Sequence, residues 1–231
     1  MLKTENLNYR HGNKRLISNF NYEFIPGKIY GIVGLNGSGK TTLMKILAGI
    51  WTQTSGSILW NDINLLGVTR QEKSKLISLV PQTPHVPFDY KVFDVVAMGG
   101  YARNKLVNNE ETVLHALDSV QGAHLTNCLI TEISSGEKQR VFIARALVTK
   151  SPVILLDEPT ASLDVKHKSI IWELMVSLKN KGKIIIITTH DLDMAEKYCD
   201  NIILMNEGKC LMNGTFKDVM NENTMKTIFS A

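Results

Sequence analysis

Cysteine is scarce and poorly placed for chemistry. The chain has three, Cys128, Cys199 and Cys210. They are odd in number, widely separated and without a C-x-x-C pair, which argues against a disulfide framework or zinc site and for a reducing compartment. Long apolar runs are also missing. The longest aliphatic stretches, 184–187 and 153–156, fall far short of the roughly 20 residues of a spanning helix. The opening Met1-Leu2-Lys3-Thr4-Glu5-Asn6 lacks the apolar core of a signal peptide. Neither an internal repeat nor a low-complexity linker is present. Charge of one sign is in small excess only: Lys+Arg of 26 against Asp+Glu of 22 leaves +4. That is too little and too scattered to point to nucleic acid, and the densest cluster, from Lys179 to Lys183, reads as the solvated end of a helix. These absences describe a soluble, cytosolic chain.

The remainder is ordinary for a folded protein: 231 residues, 44% hydrophobic and 21% charged. This length suits one large domain, or a core carrying a smaller subdomain. The first sixty residues read mostly as short strands, with loops at His11-Gly12-Asn13 and Pro26-Gly27. Residues 28–33 form an apolar strand running into Gly34-Leu35-Asn36-Gly37-Ser38-Gly39. A helix follows over 41–50, with Leu43, Ile46, Leu47 and Ile50 on one face. Strands are expected at 57–60 and 76–80. Pro81, Pro84 and Pro87 then mark a loop, and 92–149 reads as mainly helical. Runs 153–156 and 183–188 are continuously apolar, as in strands covered on both faces of a parallel sheet. Between them Ile170, Ile171, Leu174, Met175 and Leu178 make the stripe of a crossover helix. The expectation is an α/β core at about 1–82 and 150–231, with a helical insertion at about 83–149.

Gly34 through Thr41 matches G-x-x-x-x-G-K-[ST] between a strand and a helix. Small residues there let successive backbone N–H groups turn inward around phosphate oxygens, aided by the helix dipole. Lys40 is expected to reach the β- and γ-phosphates, Thr41 to ligate Mg²⁺, and Thr42 to donate near the α/β-phosphates. The alternative is a flexible glycine turn with a surface lysine. Residues 153–156 lead into Asp157-Glu158 at the ligand edge of such a sheet. Asp157 is placed to hold Mg²⁺ and Glu158 to polarise an attacking water; the plainer alternative is a pair of acids capping a turn before Pro159. His190 follows a second core strand and points to the same edge.

Upstream of the acidic strand stands Ile133-Ser134-Ser135-Gly136-Glu137-Lys138-Gln139-Arg140. With Tyr9, the phosphate loop, Gln82, the acidic strand, Ser162-Leu163-Asp164 and His190, the chain resembles the ATP-binding-cassette (ABC) ATPases along essentially its whole length. The resemblance implies a P-loop NTPase (RecA-like) core, an N-terminal antiparallel β subdomain and an inserted α-helical subdomain. It implies ATP and Mg²⁺ as cofactors and two cassettes paired head to tail. In such a pair Gly34, Asn36, Gly37, Ser38, Gly39, Lys40, Thr41 and Thr42 of one copy face Ser134, Gly136 and Glu137 of the other across the nucleotide. Tyr9 would stack on adenine, against the alternative of an ordinary strand tyrosine. Gln82 would sense Mg²⁺ or the attacking water, His190 would hold the γ-phosphate, and Asp164 would couple the two copies. One departure from the family pattern stands at Ser135, where a glycine is usual. If that position needs positive φ, serine there costs about 1 kcal/mol.

The stretches Ser78-Leu79-Val80-Pro81-Gln82 and Val92-Phe93-Asp94-Val95-Val96-Ala97-Met98-Gly99 look like cassettes of bacterial importers for iron–siderophores, haem, cobalamin or metal ions. The implied partners are a second cassette, a membrane permease docking near Gln82 and 92–101, and indirectly a substrate-binding protein, with no nucleic acid. The implied location is peripheral, on the cytoplasmic face of the cell membrane. Alternatives are an exporter or lipoprotein-release cassette, a soluble ABC ATPase, and a regulatory module that binds nucleotide without hydrolysis.

Overall fold

A computed structural model describes residues 1–103 and 110–221. Parts of two expected segments, 104–109 of the helical stretch and 222–231 of the core, lie outside the described residues. The chain opens with a hairpin, β1 (Leu2–His11) and β2 (Lys14–Phe24), turned at Gly12. Then come β3 (Lys28–Val33), α1 (Lys40–Leu47), β4 (Ser55–Trp60), β5 (Ile63–Asn64), α2 (Arg70–Leu76) and β6 (Ile77–Val80). The helical stretch holds α3 (Val92–Ala97), α4 (Glu110–Asp118) and α5 (Ser135–Val148), joined in part by 3₁₀ turns. The last part contains β7 (Val153–Asp157), α6 (Val165–Asn180), β8 (Ile184–Thr188), α7 (Leu192–Tyr198), β9 (Asn201–Asn206), β10 (Lys209–Gly214) and α8 (Phe216–Val219).

Two sheets result. The first is antiparallel, in the order β2-β1-β4-β5; the second runs β10-β9-β3-β8-β7-β6 and is parallel except for the β9–β10 pair. The strands β7 and β8 are buried at every position, which explains their unbroken apolar sequence. Their side chains alternate between two cores with period two. Ile154, Leu156, Ile185 and Ile187 face one cluster, shared with α6 and with Val95, Val113 and Val141 of the helical stretch. Val153, Leu155, Ile184 and Ile186 face the other, shared with α1 and the antiparallel sheet. Each such aliphatic side chain contributes about 1.5–3 kcal/mol on burial. The helical stretch has no isolated core, because its apolar residues share a cluster with the parallel sheet.

Three local expectations differ from the structure. The helix α1 ends at Leu47, because Gly49 at φ +71° turns the chain out of it, so Ile50 lies beyond and is exposed. Trp172, absent from the expected stripe, is fully buried on α6 and stacks on Tyr198 at 5.5 Å. The lysine cluster is pinned at both ends: Lys179 pairs with Asp200 at 3.0 Å, and Lys183 donates to the Ser151 carbonyl. That Asp200 also accepts from the backbone N–H of Ile29, so Lys179 ties α6 to the start of β3. The strand β9, an apolar run from Ile202 to Met205 outside the expected strands, is buried and completes the sheet beside β3.

Trp172→Ala is expected to cost about 3–5 kcal/mol in chemical denaturation, through the cavity it leaves. Trp172→Phe should cost far less, because the indole N–H has no hydrogen-bond partner among the described residues.

Candidate functional site

The site starts where β3 stops. Gly34 sits at φ +150°, and a side chain there would run into the Met205 carbonyl. Gly39 sits at φ +103°, with Leu16 O only 2.8 Å from where a Cβ would stand. Both positions therefore need glycine, and the loop wraps tightly between β2 and β9. Lys40, the first residue of α1, is 6% exposed and folds back on its own loop, donating to Gly34 O at 2.8 Å and Leu35 O at 3.2 Å. Burial lowers its ammonium pKa, while the carboxylates of Glu158 and Asp157 act in the opposite direction. The Ser38 hydroxyl is buried with no hydrogen-bond partner. A cavity of about 320 Å³ is lined by Lys14, Leu16, Gln82, Glu158 and the loop residues Asn36, Gly37, Ser38, Gly39, Lys40, Thr41 and Thr42.

Opposite the loop, β7 delivers its two acids. Asp157 is 3% exposed and pairs in register with Thr188 of β8. The Thr188 hydroxyl donates to Asp157 Oδ1 at 2.6 Å and accepts from the Glu158 backbone N–H at 2.9 Å. Glu158 takes φ +47°, a left-handed conformation rare outside glycine that costs a non-glycine residue of order 1–3 kcal/mol. The bend carries its carboxylate out of the sheet. There Gln82 Nε2 donates to Oε2 at 2.8 Å, and His190 Nε2 lies 3.0 Å from Oε1. Three residues far apart in sequence are thus joined through one carboxylate.

The remaining expected residues stand elsewhere. Ser134 caps α5, its hydroxyl accepting from the Glu137 N–H, while the Glu137 carboxylate accepts from the Ser134 hydroxyl at 2.7 Å and N–H at 2.9 Å. Those two bonds hold Glu137 below the usual carboxylate range. Gly136 presses on the Ser162 backbone, whose carbonyl would lie 2.9 Å from an added Cβ. None of Ser134, Gly136 and Glu137 lines the phosphate-loop cavity. Asp164 caps α6 and accepts from both the N–H and the ring of His167. The His167 backbone N–H and then its ring keep the Asp164 carboxyl low. Tyr9 is half-buried and does not line the phosphate-loop cavity: its ring stacks on Trp51 at 5.4 Å and packs against the apolar cluster, on the strand face of buried Leu7. Ser135 opens α5 and is not among the residues with positive φ, so the anticipated strain is absent.

Three contributors escape the sequence. Thr188 is the last residue of an apolar strand, and only its register opposite Asp157 marks it. Lys14 and Leu16 belong to the hairpin, and no local pattern ties them to a loop some twenty residues later.

A family model for ABC transporters matches residues 17–161. The chain is 32% identical to a "Hemin import ATP-binding protein HmuV" of Pseudomonas fluorescens, over 99% of this chain and 92% of that one. Among solved structures, it is similar to cbiO1 from Clostridium perfringens, described as part of the ABC transporter complex cbiONQ. That match has a TM-score of 0.80 and 33% identity, over 98% of this chain and 92% of the other. A dimeric post-hydrolysis ATP-binding cassette bound to ADP and Pi aligns with a TM-score of 0.85 and 26% identity, over 94% and 99% of the two chains.

Thr188→Val should lower ATP hydrolysis and cost about 1–3 kcal/mol in stability by leaving Asp157 without its donor, whereas Thr188→Ser retains most of both. Steady-state hydrolysis and denaturation curves read the two effects. Ser135→Gly should bring no gain in ATP-dependent dimerisation measured by size-exclusion chromatography, since no strain is there to relieve.

Proposed function

Because the chain belongs to the ABC transporter family and is an ATP-hydrolysing cassette of it, we propose that it powers import of an iron chelate such as haem through a membrane permease. The observation that carries the catalytic part is Glu158, held between Gln82 and His190 at the rim of the phosphate-loop cavity. The full-length similarity to a hemin import ATP-binding protein supports the choice of cargo.

The donor set fits nucleotide phosphates and Mg²⁺. The Ser38 hydroxyl is buried and unpartnered among the described residues, the Lys40 ammonium hydrogen-bonds carbonyls of its own loop with the Glu158 and Asp157 charges also acting on it, and Asp157 is a buried carboxylate. No group of three or more His, Cys, Asp or Glu side chains suited to a metal exists among the described residues. Mg²⁺ is commonly held by one or two protein carboxylates together with substrate phosphates. When bound, the ion neutralises charge on the β- and γ-phosphates. Thr41, Asp157 and Gln82 are the residues to hold it.

The chain's own groups then perform hydrolysis. Lys40 leaves the Gly34 and Leu35 carbonyls for the phosphates, supplying positive charge where negative charge gathers. Glu158, released from Gln82 and His190, takes a proton from the water whose oxygen attacks the γ-phosphorus. The bond from that phosphorus to the β–γ bridging oxygen breaks, leaving ADP and inorganic phosphate. His190, freed in the same movement, turns to the γ-phosphate. Both carboxylate oxygens of Glu158 are engaged, Oε2 by Gln82 and Oε1 by His190, so both neighbours bear on the orientation of the base.

A second copy completes the site. Ser134, Gly136 and Glu137 lie outside the cavity of their own chain, and the exposed start of α5 offers a hydroxyl and N–H groups to the partner's nucleotide. Asp164, exposed at the start of α6, faces the same interface. Tyr9, half-buried and stacked on Trp51, is the flat ring available to the adenine. Among the described residues no helix is long and apolar enough to cross a membrane, which suits a peripheral subunit. Permease docking falls to apolar residues left exposed in the stretch that follows Gln82, namely Phe88, Tyr90 and Tyr101; Val92, Val95 and Val96 are fully buried and cannot serve.

Glu158→Gln should bind ATP, lose roughly 10²–10⁴-fold in turnover and accumulate an ATP-bound dimer; undiminished hydrolysis would remove Glu158 from its role. Cells lacking the chain should take up labelled haem or ferric siderophore more slowly, with rescue by the wild type and not by Glu158→Gln. Unchanged uptake of both would overturn the cargo assignment.

A further inference from the structure

We propose that Lys168 is a positioning residue for ATP hydrolysis, tying the first turns of α6 to the loop that carries His190. A second cavity, of about 300 Å³, shares Glu158 with the phosphate-loop cavity. Its lining includes Lys168, Thr189, His190 and Asp191. Lys168 Nζ stands 3.4 Å from Asp191 Oδ2, and the two side chains are only 29% and 28% exposed.

The rest of Asp191 is already committed. Its Oδ1 accepts from the Met194 N–H at 3.2 Å and caps α7, while its own N–H donates to Thr189 Oγ1 at 3.0 Å. Oδ2 is the oxygen that Lys168 engages. On the other side, the Lys168 N–H donates to the carbonyl of Asp164, the cap of α6, at 2.9 Å. A continuous set of contacts therefore runs from Asp164 through Lys168 to Asp191. His190 immediately precedes Asp191 in the chain, and its ring lies 3.0 Å from Glu158.

Two elements of separate origin meet here: α6 begins at the segment facing a second copy, and the 189–191 loop carries the group that must leave Glu158 for the γ-phosphate. Thr189 and the cap of α7 fix the loop to its own neighbours. Lys168 is the cation in this cavity that joins it to α6, so a shift of α6 on pairing is transmitted to His190. Partial burial shields the pair from solvent and limits the side-chain freedom that makes exposed ion pairs weak. The inference rests on the roles proposed above for Glu158 and His190.

The test is steady-state ATP hydrolysis by the full-length chain across ATP concentrations. Lys168→Met is expected to lower kcat about fivefold with KM changed less than about twofold, as for a group acting on geometry rather than on binding. Lys168→Arg should restore kcat to within about twofold, and Lys168→Met with Asp191→Asn should be no slower than the slower single variant, because both remove one interaction. A normal kcat in Lys168→Met, a loss that arginine fails to rescue, or additive losses in the double variant would each overturn the proposal. Glu158→Gln, assayed alongside, separates the two readings. If it abolishes turnover while Lys168→Met changes nothing, only the role of Lys168 falls; if it hydrolyses ATP normally, the reading of the site falls with it.

Discussion

The pairing of Asp157 with Thr188 across β7 and β8 governs the geometry of the catalytic edge. A carboxylate as buried as Asp157 is expensive without hydrogen bonds, and Thr188 supplies one directly from its hydroxyl. The same hydroxyl accepts the N–H of Glu158 and so helps hold the next residue in a left-handed bend. Without that bend an extended strand would send Glu158 to the face opposite Asp157. With it, the carboxylate reaches Gln82 from the end of β6 and His190 from beyond β8. The strain at Glu158 is small against the burial of the two strands beneath it, and those strands make it permanent.

The two apolar clusters explain how events at this edge reach other surfaces. One face of the parallel sheet belongs to the phosphate-loop helix and the antiparallel sheet, the other to α6 and the helical stretch. Gln82 stands where the chain passes from the sheet to that stretch. Its bond to Glu158 therefore links the reacting centre to a body that shares the sheet's packing and carries the exposed Phe88 and Tyr101. On the opposite flank, α6 starts at Asp164 and meets the His190 loop through Lys168. The surfaces proposed for nucleotide, permease and a second copy thereby all connect to one carboxylate.

Much of this was legible in the residues. The phosphate loop announces itself because its glycines are sterically required and its lysine follows at a set distance. The strand ending in Asp157-Glu158 is legible because burial on both faces forces an unbroken apolar run. Tyr9 shows the limit of such reading. An aromatic on a strand serves equally as a ligand platform or as core, and its stacking on Trp51 is a contact that the sequence does not record. Ser135 shows another. The cost assigned to it depended on a backbone angle, and in the first turn of α5 that angle is helical.

Sequence by itself determined the α/β class, the phosphate loop, the acid pair and the order of the elements, since each rests on local periodicity or on sterics within a few residues. Tertiary structure alone decided which oxygens of Glu158 meet Gln82 and His190, that Thr188 serves Asp157, that Tyr9 stacks on Trp51, and that Lys168 reaches Asp191. Every one of these depends on the register of neighbouring strands or the packing of a helix against a loop. Such contacts join residues that are distant along the chain, and no local pattern records the distance between them.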